Sequence, residues 1–414
     1  MIEVINKACG LDIHKIFFIA TILSRSGEKQ QQRFNRDDEG ILSLKNWVVS
    51  EKCNVVACES TSDFWVPIYD SLIKHLPVIV GNARDMKVFT HKKTDKIDSE
   101  VIAQLALNHM IQPSRVFPND HRDFRSYVRL RLTLVQKRTD LKNKAHSVLS
   151  SEMLNLKNVL TDIFGKNGTM ILSGISSGKS VDQIMASLSP NVRKKAAQIR
   201  EILDREISQS AALRLQICLK LIKSLDDEIE ALEKEIFNYA YKKHKREMEI
   251  LMSVPGIGEL GAAILLAEIG NFKDFSSGDK LASWLGLVPN VYQSADKYYN
   301  GRITKRGSKG ARWILTQISQ AAARKNNSKL KEFFNRKKKS IGHAKAIIAL
   351  ARKIATIIWH LIVNDEIYED ETGYKKGEIQ KRKIVETEIF SVDERIKIIN
   401  EIFAIMEKEG EEST

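Results

Sequence analysis

Short hydrophobic runs alternate with amphipathic segments through the first hundred residues. The apolar runs predict strands at ACGLDIH (8–14), KIFFIATIL (15–23), CNVVACEST (53–61) and PVIVG (77–81). The polar run EKQQQRFN (28–35) predicts a third strand after the turn at Ser26 and Gly27, and helical periodicity marks residues 38–49 and 62–74. Three successive strands followed by alternating strands and helices is the order of ribonuclease-H-like folds, although other α/β topologies share it.

From about Phe124 the pattern becomes helical and strongly basic, with RSYVRLRLTLVQKRTDLKNKAH (125–146) as its densest part. Glycine and serine clusters predict a loop or short helix over 164–190. A long helix follows, with apolar residues at alternating spacings of four and three: Ala211, Leu215, Cys218, Ile222, Leu225, Ile229, Leu232, Ile236 and Tyr239. This seam is equally typical of an antiparallel hairpin with helix 124–156 and of a coiled coil between two chains.

Four segments therefore emerge. Residues 1–120 predict an α/β ribonuclease-H-like domain, and residues 121–248 a basic helical and coiled-coil region. Residues 249–365 predict an all-α domain with a helix-hairpin-helix-like motif, and residues 366–414 a charged, partly helical tail.

The net charge of the chain favours one class of binding partner. The 414 residues carry 66 Lys and Arg against 52 Asp and Glu, a formal net charge of +14, which suits a polyanion such as nucleic acid. No run approaches the roughly 18 apolar residues of a spanning helix, and IFFIATIL predicts a strand rather than a signal peptide. The four cysteines form no CxxC pair, which favours reduced thiols and a cytoplasmic protein.

Four carboxylates form a candidate metal site. Asp12 interrupts the strand GLDIH, Glu59 ends the strand CNVVACE, and Asp95 and Asp98 lie three residues apart at a helix start. In a ribonuclease-H-like sheet these positions converge, and the repulsion between them favours bridging by Mg²⁺ (or Mn²⁺). Each acid also has a simpler explanation without a metal site. Asp95 and Asp98 are favoured by the helix dipole at a helix N-terminus, and Glu59 can face solvent at the end of its strand. Asp12 is harder to explain in this way, because it interrupts an otherwise buried strand.

A second candidate site follows Asn290, in the stretch NVYQSADKYYNGRITKRGSKGARW. Ser294 precedes six cations: Lys297, Arg302, Lys305, Arg306, Lys309 and Arg312. The residues allow a phosphate-binding loop with an incidental hydroxyl, or a nucleophilic serine whose activator lies elsewhere. Upstream, the turn PGIG offers backbone N–H groups at Gly256 and Gly258 to a phosphate. The basic helix adds Arg129, Arg131, Lys137 and Arg138 as candidate nucleic-acid contacts.

Several of these segments, in this order, carry a resemblance to a known family: GLDIHK, ACEST, KKTDKIDSEVIAQL, PGIGELGAAILLAEIG, LASWLGLVPNVYQSADK and GRITKRGSKGARWIL. Together they resemble the DEDD-type insertion-sequence transposases of the Piv/MooV, or insertion-sequence-110, group. The resemblance covers Cys9 to about Val363. The chain departs from the family pattern at Ala295, where glycine is usual.

The resemblance implies a Holliday-junction-resolvase-like N-terminal domain whose DEDD acids are Asp12, Glu59, Asp95 and Asp98, and a C-terminal transposase domain whose nucleophile is Ser294. It implies a recombinase that excises and inserts a mobile element in double-stranded DNA through a phosphoserine link. It also implies a structured guide (bridge) RNA, Mg²⁺ at the acids, and a homo-oligomer in which acids and serine come from different protomers. A junction-resolving nuclease and a site-specific invertase remain alternatives.

Overall fold

A computed structural model describes residues 4–60, 62–82, 86, 95–205, 207–294 and 297–370. The residues form two compact units, Met1–Arg122 and Asp123–Thr414. The tail beyond residue 370, including the predicted partial helix, lies outside the described residues, and so do Ala295 and Asp296.

The first unit is built on a five-stranded sheet. Its strands are β1 (Lys7–Ile13), β2 (Phe17–Ser24), β3 (Lys29–Asn35), β4 (Val55–Glu59) and β5 (Val78–Gly81). The sheet order is β3-β2-β1-β4-β5, with β1, β2 and β3 antiparallel and with β4 and β5 parallel to β1. The strands expected from the sequence are therefore confirmed, including the apolar N-terminal run, which forms β2.

Successive side chains along each strand point to opposite faces of this sheet, so both faces carry apolar residues. Cys9 and Leu11 of β1 face a core shared with helices α1 (Asp38–Ser50) and α2 (Val66–Leu72). Ala8 lies on the opposite face, in a core that includes helix α3 (Asp95–Leu107). Helices thus cover both faces, which gives a mixed α/β unit.

The second unit is mainly helical. Its helices are α4 (Asn119–Ser151, which begins before the unit boundary), α5 (Lys166–Ser176), α6 (Val181–Ser187), α7 (Pro190–Arg193), α8 (Ala196–Leu203), α9 (Gln209–Ser253), α10 (Glu259–Ile269), α11 (Gly278–Trp284), α12 (Lys309–Arg324), α13 (Lys329–Ile341) and α14 (His343–Asn364). Residues 164–190, expected to be loop or short helix, contain the short helices α5 and α6. Helix α9 bends at His244, where φ is −136° and ψ is 33°.

The expectation of an all-α C-terminal domain is wrong. Strands β6 (Pro289–Ser294) and β7 (Lys297–Ile303) form an antiparallel hairpin between α11 and α12. Val291, Tyr292, Tyr298 and Tyr299 supply the β-branched and aromatic residues that strands favour. Its many charged and turn-forming residues made the segment look like a loop.

The apolar seam of α9 packs within the chain. Arg131 of α4 donates to Glu233 of α9, and Arg138, seven residues later, pairs with Asp226, seven residues earlier. The two helices therefore run antiparallel. At one end of the pair, Phe124 and Val128 share a core with Ile236 and Ala240; at the other, Ala145 and Leu149 share one with Leu215 and Cys218. The apolar seam of α9 is therefore explained by an antiparallel hairpin with α4 within one chain.

Helix α14 is the one described helix that is long and apolar enough to cross a membrane, judged by length and composition. Eight of its side chains are buried: Ala346, Ile347, Leu350, Ala351, Ile354, Ala355, Ile358 and Leu361. These side chains belong to the largest core of the second unit, so packing among helices accounts for the apolar composition.

Candidate functional site

Two predicted acids lie at adjacent positions on neighbouring strands of the first unit. Leu11 of β1 pairs with Cys58 of β4 in parallel register, so Asp12 and Glu59 follow side by side along the two strands. Glu59 is half-buried and the Asp12 side chain is only 16% exposed. The sheet thus brings these two carboxylates to one edge, as the sequence predicts.

Helix α3, on which the other two acids lie, packs against the same strand. It approaches β1 at Gly10, where an added Cβ would lie 2.2 Å from the Ser99 carbonyl oxygen and 2.3 Å from the Ala103 nitrogen. Buried Ser99 also shares a 2.8 Å hydrogen bond with Thr21 of β2. Asp98, half-buried, directly precedes Ser99. The backbone of Asp95 begins α3, whereas its side chain lies outside the described residues.

A histidine contacts Asp12. His14 Nε2 lies 3.0 Å from Asp12 Oδ2, and the imidazole stacks on Phe17 with ring centroids 4.6 Å apart. Arg33 of β3 covers the same phenyl ring, its Cζ 4.1 Å from the centroid. The stack of Arg33, Phe17 and His14 therefore fixes the imidazole that holds one oxygen of Asp12.

The donor set at this edge suits a hard divalent cation. Carboxylate oxygens are the ligands that Mg²⁺ and Mn²⁺ take. Asp12 and Glu59 offer them at adjacent strand positions, and Asp98 lies on the helix that packs against β1. Among the described side chains, no three His, Cys, Asp or Glu residues form a ready-made metal cluster, and Asp95 is not among those side chains. The carboxylate chemistry of Asp12, Glu59 and Asp98 fits a divalent metal.

In the second unit, Ser294 is the last residue of β6. It pairs with Lys297, the first residue of β7, so it lies at the tip of the hairpin. The side chains of residues 291–300, which include Ser294 and Lys297, lie outside the described part of the chain. The backbone alone places the serine where a strand ends, with two residues between it and the start of the returning strand.

The base of this hairpin is held by two close backbone approaches. A Cβ on Gly286 would lie 2.1 Å from the Arg306 carbonyl oxygen, and one on Gly307 would lie 2.0 Å from the Trp284 carbonyl oxygen. Both glycines also have positive φ, 71° and 87°. Only glycine fits at either position, and the loop after β7 is thereby fixed against the end of α11.

Arg312, a predicted nucleic-acid contact, closes the same loop. Its Nη1 donates to the carbonyl oxygens of Leu285, Arg306 and Gly307 at 2.9 to 3.0 Å. Burial lowers the pKa of this guanidinium. By contrast Arg302, Lys305, Arg306 and Lys309 have exposed side chains along the hairpin base.

A buried carboxylate that the sequence reasoning missed lies behind the hairpin. Glu268 of α10 is 1% exposed and accepts hydrogen bonds from Arg125 and Arg129 of α4 and from the Ser308 hydroxyl at 2.8 Å. Ser308 in turn accepts from the Ala311 N–H and caps α12. Burial alone raises the pKa of Glu268, but hydrogen bonding and charge from Arg129 and Arg125 outweigh burial, so the pKa lies below its ordinary value. The sequence signal is Glu268 near the end of the apolar run LGAAILLAEIG.

The two glycines of the predicted hairpin turn have different surroundings. Gly256 has φ 93°, and a Cβ there would lie 2.7 Å from backbone atoms of Ile318 and Ala322 of α12, so packing requires a glycine. Gly258 caps α10 and has open space around it, which leaves the N-terminus of α10 accessible. Glu259 follows directly and accepts a hydrogen bond from the Tyr241 hydroxyl.

Three of the four predicted contacts on α4 are engaged in ion pairs. Arg129 binds Glu268, Arg131 binds Glu233 and Arg138 binds Asp226. Lys137 is exposed and has no ion pair within the described residues. These arginines therefore hold helices together, and their contact with nucleic acid stays a prediction.

The chain is similar to transposases of insertion sequences. The model of the transposase IS116/IS110/IS902 family matches residues 248–335, and a second transposase model, of the DEDD type of the IS110 group, matches residues 9–153. The transposase for insertion sequence element IS1111A of Coxiella burnetii is 25% identical over 370 residues, 87% of this chain and 91% of the relative.

Two further relatives are similar over shorter stretches. The transposase for element IS1328 of Yersinia enterocolitica is 27% identical over 147 residues, 35% of this chain and 43% of the relative. A 42 kDa protein of insertion element IS900 from Mycobacterium paratuberculosis is 25% identical over 305 residues, 68% and 74% of the two chains.

Proposed function

Because the chain belongs to the insertion-sequence-110 family of transposases, we propose that it excises and inserts a mobile DNA element with Ser294 as the nucleophile. A transposase cleaves and rejoins DNA. The observation that carries the finer proposal is the parallel register that aligns Asp12 with Glu59, together with α3 packed on Gly10 of the same strand. This arrangement supports a ribonuclease-H-like domain with a DEDD acid site, and the strand order β3-β2-β1-β4-β5 supports it further.

The four acids would hold Mg²⁺ or Mn²⁺. Asp12, Glu59 and Asp98 would supply oxygens from the sheet edge and α3, and Asp95 would complete the set. When bound, the metal supplies positive charge beside the reacting phosphate. His14 would keep Asp12 in one orientation, since its Nε2 lies 3.0 Å from Asp12 Oδ2.

The serine step exchanges one phosphate ester for another. The Ser294 hydroxyl loses its proton and forms an oxygen–phosphorus bond to the scissile phosphate, while the bond to one bridging oxygen breaks and that oxygen leaves as a protonated hydroxyl. A DNA hydroxyl later attacks the phosphoserine, and Ser294 regains its proton. Because the bond energy is stored in the phosphoserine, rejoining needs no nucleotide cofactor.

The cations around the hairpin would hold the DNA backbone during this exchange. Lys305, Arg306 and Lys309 are exposed at the hairpin base, and Arg302 is exposed on β7. Arg312, Glu268 and Ser308 keep that base fixed from behind. In this proposal their role is to position the loop.

The test is the covalent adduct. Wild-type protein incubated with Mg²⁺ and a duplex carrying the element end is expected to yield a protein–DNA band on a denaturing gel, and Ser294→Ala is expected to bind the duplex and yield none. Ser283→Ala, at an exposed serine of α11, is the matched control. If Ser294→Ala still cuts the duplex, the protein is a metal-dependent junction nuclease instead.

The partners extend this proposal. We expect a homo-oligomer in which the acids of one protomer act with Ser294 of another. Mixing the inactive Ser294→Ala and Glu59→Gln variants should then restore part of the activity.

We also expect a bridge RNA to guide the protein. One structured, element-encoded RNA should then copurify with the protein, whereas copurification of random cellular RNA would contradict guidance. The site of action would be the cytoplasm, at the nucleoid. A site-specific invertase would give the same adduct and differ in the DNA ends it joins.

A further inference from the structure

A segment after the serine hairpin is more cationic than the hairpin itself. Residues 325–353, from the end of α12 through α13 into α14, contain ten Lys and Arg and a single acid, Glu332. The stretch 290–313 contains six Lys and Arg with one acid. The hairpin's function therefore leaves the larger concentration of charge unexplained.

Three of these cations converge on one ring. Arg336 and Lys337 of α13 and Lys353 of α14 approach the Phe333 ring, with charged groups 5.7, 5.9 and 4.9 Å from its centroid. The ring is half-buried at the edge of the core, which fixes its position. We call Arg336, Lys337, Lys353 and Phe333 the α13–α14 cluster.

The cluster forms although a simpler ion pair is available. Glu332 lies four residues before Arg336, a spacing and order that favour a salt bridge on a helix. Within the described residues Arg336 makes no such bridge; it lies over Phe333, beside two other cations. Like charges held this close repel each other. A polyanion that supplied the missing negative charge would relieve that repulsion.

We propose that the α13–α14 cluster binds the phosphodiester backbone of duplex DNA, at a site separate in sequence from the serine hairpin. Because the three charged groups surround one ring, they lie within about 12 Å of one another, a length over which a duplex presents about seven phosphate charges. Phe333 is half-buried and covered by the cations, so the site offers no open ring for stacking on a base. Binding there is independent of base sequence. The inference rests on the proposed DNA substrate.

The experiment measures how binding to a 30-base-pair duplex of random sequence depends on salt, by fluorescence anisotropy. Each phosphate contact contributes about 0.9 to the slope of log K against log salt. The triple variant Arg336→Gln, Lys337→Gln and Lys353→Gln is expected to lower that slope by about 2 to 3 and to weaken binding about tenfold or more near physiological salt.

A matched control removes the same charge elsewhere. Lys166, Lys179 and Lys194 are exposed residues around the core of α5 to α8 and have no ion pair within the described residues. Their triple change to Gln is expected to leave the slope nearly unchanged. Equal slopes for the two triple variants would overturn the proposal, because net charge alone would then explain binding.

Two further measurements distinguish a failure of this inference from a failure of the proposed serine mechanism. A duplex RNA of the same length replaces the DNA in one arm; a loss of affinity confined to RNA would refute the assignment to DNA. All measurements are repeated with Ser294→Ala, which removes covalent chemistry. If no adduct forms in the wild type but the cluster still sets the slope, the serine mechanism fails and the inference about the surface stands.

Discussion

Replacing Glu268 by Gln tests how the second unit holds its hairpin. The carboxylate is 1% exposed and accepts five hydrogen bonds, two from Arg125, two from Arg129 and one from Ser308. Gln keeps the shape, but it removes the negative charge and turns one acceptor into a donor that faces guanidinium groups. The two arginines then lose their counter-charge.

The magnitude follows from the exposure of the partners. Removing one member of a buried ion pair costs about 3 to 5 kcal/mol. Arg129 is 54% exposed and Arg125 is 22% exposed, so water replaces part of the lost interaction. We therefore expect a loss near the lower end, about 3 kcal/mol. The Ser308 cap of α12 should weaken with it.

Urea denaturation measures this loss, and with a slope of about 3 kcal/mol per molar the midpoint should fall by about 1 M. Asp182→Asn is the control, because Asp182 and its partner Arg200 are 81% and 48% exposed and such pairs contribute about 0 to 1 kcal/mol. A Glu268→Gln variant no less stable than this control would refute the reasoning, since water would then satisfy both arginines.

The same carboxylate predicts a pH dependence. The pKa of Glu268 is lowered in the folded protein, so its contribution is complete above the ordinary pKa of an unfolded glutamate, about 4.3. As the pH falls through the folded value, the carboxylate gains a proton and the contribution is lost. The stabilities of wild type and Glu268→Gln should therefore converge in acid and differ fully at neutral pH.

Three further outcomes follow from the contacts. Gly10→Ala places a Cβ against the Ser99 carbonyl oxygen and should push α3 from β1, with a cost of about 1 to 3 kcal/mol on urea unfolding and weaker Mn²⁺ binding by calorimetry. Arg312→Gln leaves three carbonyl oxygens without their donor and should raise amide exchange in the loop around Gly286 and Gly307, by mass spectrometry. Burial raises the pKa of Cys58 to about 12, so iodoacetamide at pH 8 should label this thiol only after unfolding.

Local patterns predicted the first unit well. Strands β1, β2, β4 and β5 are short apolar runs bounded by turns, and each lies where its run predicts a strand. The alignment of Asp12 with Glu59 depends on which strand lies beside β1, and periodicity does not specify strand neighbours. The ribonuclease-H-like order of strands and helices, and then the family resemblance, predicted that meeting.

The second unit was less predictable, because its informative contacts join distant residues. Glu268 meets Arg125 across 143 positions, so an acid among the apolar residues of α10 carries no sign of its partner. The sequence predicts a loop where β6 and β7 form the hairpin, because lysine, glycine and asparagine are poor strand formers. Arg129 and Arg138 had suggested phosphate contacts from charge alone, whereas the folded chain supplies a carboxylate to each.

The antiparallel pairing of α4 and α9 makes their lengths interdependent. A step of seven residues from Arg131 to Arg138 is matched by a step of seven back from Glu233 to Asp226. An insertion of one heptad in α4 would shift every later pair by about 10 Å unless α9 gained a heptad opposite it. Relatives with a longer or shorter arm should therefore differ by paired insertions or deletions in whole heptads, and an unpaired change should be found only in the short helices α5 to α8 that join the two.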